Sequence, residues 1–140
     1  VLKIHRAITD SLEQANFGLE VSWPNKGYLP HEDADGESVP FLELVFGRID
    51  INPLTLGGDE GVDRVSAFFT INVRYATNRG AVIADDMVSN ILAYYSIGKE
   101  FAYGGQIVRV TGISLEPGAP DFGWYKVSVT IKYESYQGRA

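Results

Sequence analysis

Several groups of residues in this sequence have the types and spacings that chemistry uses. The segment His31-Glu32-Asp33-Ala34-Asp35-Gly36 sets acidic residues on alternate positions ahead of a glycine. Calcium loops do the same, so that carboxylates converge on the ion while the glycine turns the chain. Aligned on that glycine, however, His31 stands where the first carboxylate belongs and Leu42 where the bidentate glutamate belongs. Without its end ligands the segment reads as a solvated acidic loop, and no calcium binding is expected. His5 and His31 lie in different segments with no third ligand at metal spacing. Asp85 and Asp86 form a carboxylate pair, but adjacent helical residues point about 100° apart and cannot share one proton. They read as charges near a helix start, where they would complement the dipole.

The tetrapeptide Gly57-Gly58-Asp59-Glu60 matches four letters of the diguanylate cyclase signature. Gly61 breaks the fifth position, and the chain is short for that domain. There is no Gly-x-Ser-x-Gly elbow, phosphate loop or dinucleotide fingerprint, and the absence of cysteine excludes Cys-His mechanisms. The expectation is a protein without catalytic residues, cofactor or bound metal. A small-ligand enzyme or binding domain would need convergent polar groups, and no constellation here must form them.

The elements explain where most of the residues go. Val65, Ala67, Phe69, Ile71, Val73 and Tyr75 fall on every second position, which is a strand with one buried face. After the turn Thr77-Asn78-Arg79-Gly80 the period changes. Ile83, Met87, Val88, Ile91, Tyr94 and Tyr95 then collect on one side of a helix, with Asp85, Asp86, Ser89 and Asn90 opposite and Gly98 placed to stop it. These two apolar faces should bury each other. Ile4, Ile8, Leu12 and Ala15 mark a first helix over residues 2 to 15, ended by Asn16 and Gly18.

Leu19 to Trp23 reads as a short strand and residues 24 to 40 as an exposed loop. Phe41 to Phe46 reads as a strand covered on both faces, extending through Ile49 and Ile51. Gln106 to Leu115 is a strand whose phase shifts at Gly112, the mark of a bulge. Glu116 to Asp121 reads as a loop, and Trp124 to Tyr136 as a closing strand. The order predicts an α+β fold, a mainly antiparallel sheet with two helices on one face, and one domain over residues 1–140. Ile83, Met87, Ile91, Tyr95, Val65, Phe69, Ile71, Val73, Val127, Val129 and Ile131 are the expected core.

With 18 acidic and 12 basic residues in 140, the net charge of −6 argues against a large surface that grips nucleic acid by its phosphates. It is compatible with a protein that DNA merely passes. No apolar run reaches the roughly 20 residues of a membrane span, so no membrane contact is expected.

In order, the N-terminal helix is followed by Val21-Ser22-Trp23-Pro24-Asn25, then Phe41-Leu42-Glu43-Leu44 and a loop with Leu54-Thr55-Leu56-Gly57. The Val65 to Tyr75 strand, Gly80, the second helix and the Trp124 to Tyr133 strand complete the sequence of features. This arrangement resembles the tail terminator (tail completion) proteins of long-tailed bacteriophages, including a phage family once classed as a domain of unknown function. The resemblance runs from about Leu2 to Tyr133. It implies a structural virion protein, assembled in the host cytoplasm, that forms a homo-oligomeric ring, typically a hexamer, on the finished tail tube. Its implied partners are the tail tube protein and a head-completion protein, and DNA passes through the lumen without specific binding. A tail tube subunit or head-completion connector would share the size and composition.

For such a role the working surface is expected on the loop from Pro53 to Asp63 and on strand edges. Leu54 and Leu56 are apolar residues in a segment otherwise suited to exposure, while Gly57, Gly58 and Gly61 loosen it. The two leucines would anchor a neighbouring subunit or the tube end, and Asp59, Glu60 and Asp63 would select partner charge. The alternative is a plain hairpin whose leucines tuck back onto the sheet.

Overall fold

The computed structural model describes residues 2–24, 39–55, 57–58, 61–76, 81–121 and 124–138. Helix α1 (Leu2–Ala15) leads to strand β1 (Glu20–Ser22), followed by β2 (Phe41–Pro53) and β3 (Val62–Ala76). Helix α2 (Ala81–Tyr94) precedes β4 (Glu100–Tyr103), β5 (Gln106–Asp121) and β6 (Trp124–Gly138). The strands form one sheet in the order β1-β2-β3-β6-β5-β4. Every neighbouring pair is antiparallel except β1 and β2, which are parallel. The fold is α+β.

Alternation decides which face of the sheet is covered. Val65, Phe69, Ile71 and Val73 of β3 stand beside Val129 and Ile131 of β6, and all are buried. Ile4, Ile8 and Leu12 of α1 join the same core as Met87, Ile91 and Tyr95 of the second helix region. Both helices therefore cover one face. Tyr95 connects the layers: its ring meets Phe69 edge-on at 5.4 Å, and its hydroxyl lies 2.8 Å from Ser11 Oγ, which donates to the Ile8 carbonyl. Asn16 and Gly18 both take positive φ where α1 ends. Gly98 does so after α2 (φ 92°) and donates its N–H to the Val110 carbonyl at 2.8 Å.

Several sequence expectations change. β4 was not expected. β5 continues through Glu116–Asp121, where a loop was expected, by taking a second bulge between Glu116 and Ala119 beside the one at Gly112. As a largely open edge it tolerates Pro117 and Pro120. Gly118 lies under the Tyr125 ring, where any Cβ would collide, and Tyr125 donates its hydroxyl to the Gly118 carbonyl at 2.7 Å. β2 is not covered on both faces, because Val45 faces away from the helices and is 44% exposed. α2 begins at Ala81, so Asp85 and Asp86 lie beyond its first turn, where the dipole has little effect. They are exposed on its outer side. Val127 is only partly buried. Residues 25–38 of the loop expected over 24 to 40, the turn at 77–80 and the side chain of Ile83 lie outside the described residues.

The face without helices is polar but tightly paired. Glu43, Asn72 and Ser128 stand in one transverse row. Ser128 Oγ donates to Asn72 Oδ1 at 2.6 Å, and Asn72 Nδ2 donates to Glu43 Oε1 at 2.8 Å. Arg74 adds an ion pair to the same carboxylate at 3.1 Å. Asn72 and Ser128 are buried by this row although no helix covers them.

Candidate functional site

The sheet has one end where β2 passes into β3 and β6 finishes. Pro53 is level with Asp63, and Asp63 with Gln137. The connection is tied at its base: Leu54 and Thr55 donate their N–H groups to the Val62 carbonyl at 3.0 and 3.2 Å, and Val62 N–H donates to Thr55 Oγ1 at 2.8 Å. Nearer the tip, Gly61 N–H donates to the Gly58 carbonyl at 3.0 Å, with Gly58 at φ 57°. That conformation favours glycine.

Among the residues singled out in the sequence, Leu54, Gly57, Gly58 and Asp63 come together here. Leu56, Asp59 and Glu60 lie outside the described residues. Leu54 does not tuck back onto the sheet. It is one of five large apolar side chains at this end, with Ile51, Tyr103, Ile107 and Tyr136, exposed from 41% for Tyr103 to 54% for Leu54. The other four were not anticipated. For two of them a signal exists: Ile107 and Tyr136 occupy the polar phase of strands whose other phase holds Val108, Val110 and Tyr133. Ile51 has the phase of a core residue, but no described element covers it. Tyr103 holds the Arg6 guanidinium 5.5 Å over its ring.

Two clefts cross the helix-free face next to this end. One of about 590 Å³ is lined by Arg48, Asp50, Ser66, Phe68, Lys132 and Glu134 among others, and one of about 250 Å³ by Glu100, Ile107, Arg109, Glu134 and Tyr136. Phe68 packs its ring over Gly47, where a Cβ would collide with it. Across the described part of this face, Arg48, Arg64, Arg74, Arg109, Lys126 and Lys132 alternate with Glu43, Asp50, Glu100, Glu116 and Glu134. Charges so interleaved make neither a phosphate-gripping patch nor a uniformly acidic wall. Apolar anchors ringed by charges of both signs suit contact with another protein surface.

The remaining titratable candidates have structural surroundings. His5 stacks flat on Phe46 at 3.9 Å, and burial holds its pKa below the usual histidine value. Burial pushes the Tyr133 hydroxyl up to about 12 and raises that of Tyr95 as well. Among the described residues no three His, Cys, Asp or Glu side chains gather where they would hold a metal ion, and no helix is long and apolar enough to cross a membrane.

Comparison with known proteins adds a family to this geometry. Direct comparison with the curated proteins finds no match. Eighteen chains of solved structures match the fold. One of them superposes with a TM-score of 0.65 over 94% of this chain and 92% of its own, at 20% sequence identity, a likeness of fold alone. A family model described as phage tail terminator protein matches residues 3–133. Because that match spans nearly the whole sequence, the chain belongs to the phage tail terminator family, a family of structural proteins of the phage tail.

Proposed function

We propose that this protein ends the tail tube: six copies form a ring on the finished tube, stop its growth and present a surface to the head-completion protein. The match to the tail terminator family over residues 3–133 carries this reading. The exposed apolar end supports it, since burying a leucine side chain on a partner contributes roughly 1.5–3 kcal/mol. In this reading Leu54 and its neighbours Ile51, Ile107 and Tyr136 meet the tube or an adjoining subunit, with Leu56, Asp59, Glu60 and Asp63 completing the contact. DNA passes through the lumen unbound, consistent with a net charge of −6 and interleaved charges on the helix-free face. Assembly takes place in the host cytoplasm, and the product is part of the virion.

Light scattering and negative-stain microscopy with purified tail tubes test the reading. A terminator gives discrete rings at tube ends. A tube subunit gives filaments by itself, and a connector leaves tube ends bare. The double variant Leu54→Ser/Leu56→Ser should melt within about 3 °C of the parent and yet fail to cap tubes. Normal capping by that variant, or its unfolding, would show that the loop is not the contact.

A further inference from the structure

The two outer strands are much shorter than the strands they border. β1 covers only Phe41–Glu43 of β2, and β4 covers only Gln106–Arg109 of β5. Val110 is joined to Gly98 and Lys99 by backbone hydrogen bonds. Among the described residues, β2 from Leu44 to Pro53 and β5 from Thr111 to Asp121 therefore have no strand on their outer side. Open edges of this length present N–H and C=O groups that readily pair with another strand. They also hold exposed apolar side chains, Val45 and Ile51 on one and Leu115 on the other.

We propose that these two edges pair with each other between successive copies of the chain, β5 of one copy against β2 of the next. The proposal rests on the ring reading above and names its interface. Direction favours it. β2, β3, β6 and β5 alternate in direction, so β2 and β5 run opposite ways. Placed edge to edge around a rotation axis, they continue the antiparallel alternation, and a head-to-tail contact of this kind closes into a ring.

The short outer strands then set the offset. β1 lies at the end of the sheet marked by Phe41, Arg74 and Lys126, and β4 at the end marked by Ile51, Val65 and Val108. A neighbour placed level would drive its Asp50–Pro53 segment into β4. Sliding it toward the Phe41 end clears β4 and leaves β1 level only with the last residue of β5. Paired residues must also share a face of the sheet. Leu115 and Ile113 of β5 share the helix-bearing face with Ile49 and Ile51 of β2.

A slide that sets Leu115 opposite Ile49 also sets Ile113 opposite Ile51, Ser114 opposite Asp50 and Glu116 opposite Arg48. Apolar residues meet apolar ones, and a carboxylate meets a guanidinium. A slide two residues longer would instead put Glu116 against Asp50. Within one sheet Val110 is level with Ile49 and Leu115 with Leu44; because Thr111 bulges out of the ladder, this slide is four residues, an even number that keeps the faces matched. Four residues at about 3.3 Å across four strands at about 4.8 Å incline the strands by about 35°, at the lower end of the roughly 35–45° of closed sheets. The prolines at 117 and 120 and the bulge before Ile49 confine the best pairing to Gly112–Glu116 against Arg48–Asn52.

Because the chain has no cysteine of its own, introduced pairs report only themselves. Ser114→Cys with Asp50→Cys, both at exposed positions, should on oxidation give a reducible ladder of covalent oligomers ending in one closed species. Ser114→Cys with Val45→Cys, the level pairing, should remain unlinked. Leu115→Cys with Ile49→Cys repeats the test on the other face should the first pair fold poorly. Rings visible by negative stain without a ladder in either staggered pair, or with linkage in the level pair, overturn the edge contact and leave the ring reading standing. Neither rings nor ladders overturns both.

Discussion

Ile91 is fully buried in the core formed by both helices and the central strands, which makes Ile91→Ala the sharpest test of how α2 packs on the sheet. The substitution removes three carbons, worth roughly 0.8 kcal/mol each in transfer, and leaves a cavity that the surrounding β-branched side chains can only partly fill. The expected loss is about 3 kcal/mol, within the ~2–5 kcal/mol common for such changes. At about 2.1 cal/mol/K per residue, unfolding 140 residues carries an entropy of roughly 0.3 kcal/mol/K, so the melting temperature should fall by about 10 °C. Thermal melts by circular dichroism, with urea titrations to check that the slope is unchanged, measure this directly. Ile97→Ala serves as the control, because Ile97 is 69% exposed and should change stability by less than ~0.5 kcal/mol. Equal shifts for the two variants would refute the packing of α2 described above.

Two further predictions concern titratable rings. His5→Phe should keep the stack on Phe46 while removing a buried Nε2 that no described polar group reaches, so the melting temperature should hold or rise; a fall of several degrees would mean that the nitrogen has a partner. Tyr133 and Tyr95 both have folded pKa values raised above the usual 10 by burial, so the folded state keeps its protons longer than the unfolded chain. Their contribution is complete below pH ~10 and is lost as pH rises toward about 12, at up to ~1.4 kcal/mol per pH unit for each group. Denaturant titrations between pH 9 and 12 should show that steepening, and Tyr133→Phe should reduce it.

The legible parts of the fold are those where one face is buried along a whole element. β3, β6 and both helices write their burial into a period of two or of about 3.6, as in Val65 to Tyr75 and Ile4, Ile8, Leu12. β4 was hidden because only Phe101 of its four residues turns even partly inward. The far end of β5 was hidden because Pro117, Gly118 and Pro120 are turn residues in most settings, and only a bulge beneath Tyr125 keeps them in the sheet. Leu54 was legible as an apolar residue in a segment suited to exposure. Its companions were less so: Ile51 has the phase of a core residue, and Ile107 and Tyr136, though out of phase with their strands' apolar faces, join Leu54 only through the register.

That register is itself set by polar residues. Alternation tells which face of a strand is buried, but a slip of two residues preserves the alternation and cannot be penalised by it. On the helix-free face such a slip would part Asn72 from both Glu43 and Ser128 and separate the Thr70 and Thr130 hydroxyls, which stand 3.1 Å apart. An unpaired group at the buried Asn72 position costs about 1–3 kcal/mol, so the row penalises misalignment where the apolar face cannot. The apolar core thus chooses the layers, and the row Glu43–Asn72–Ser128 chooses the alignment of β2, β3 and β6. With those three strands locked, Leu54, Ile51 and Tyr136 are held at one end of the sheet. The same lock fixes β2 as one outer edge and, through the β5–β6 ladder, β5 as the other, so any contact made through the end or the open edges inherits its geometry from a polar row that lies outside both.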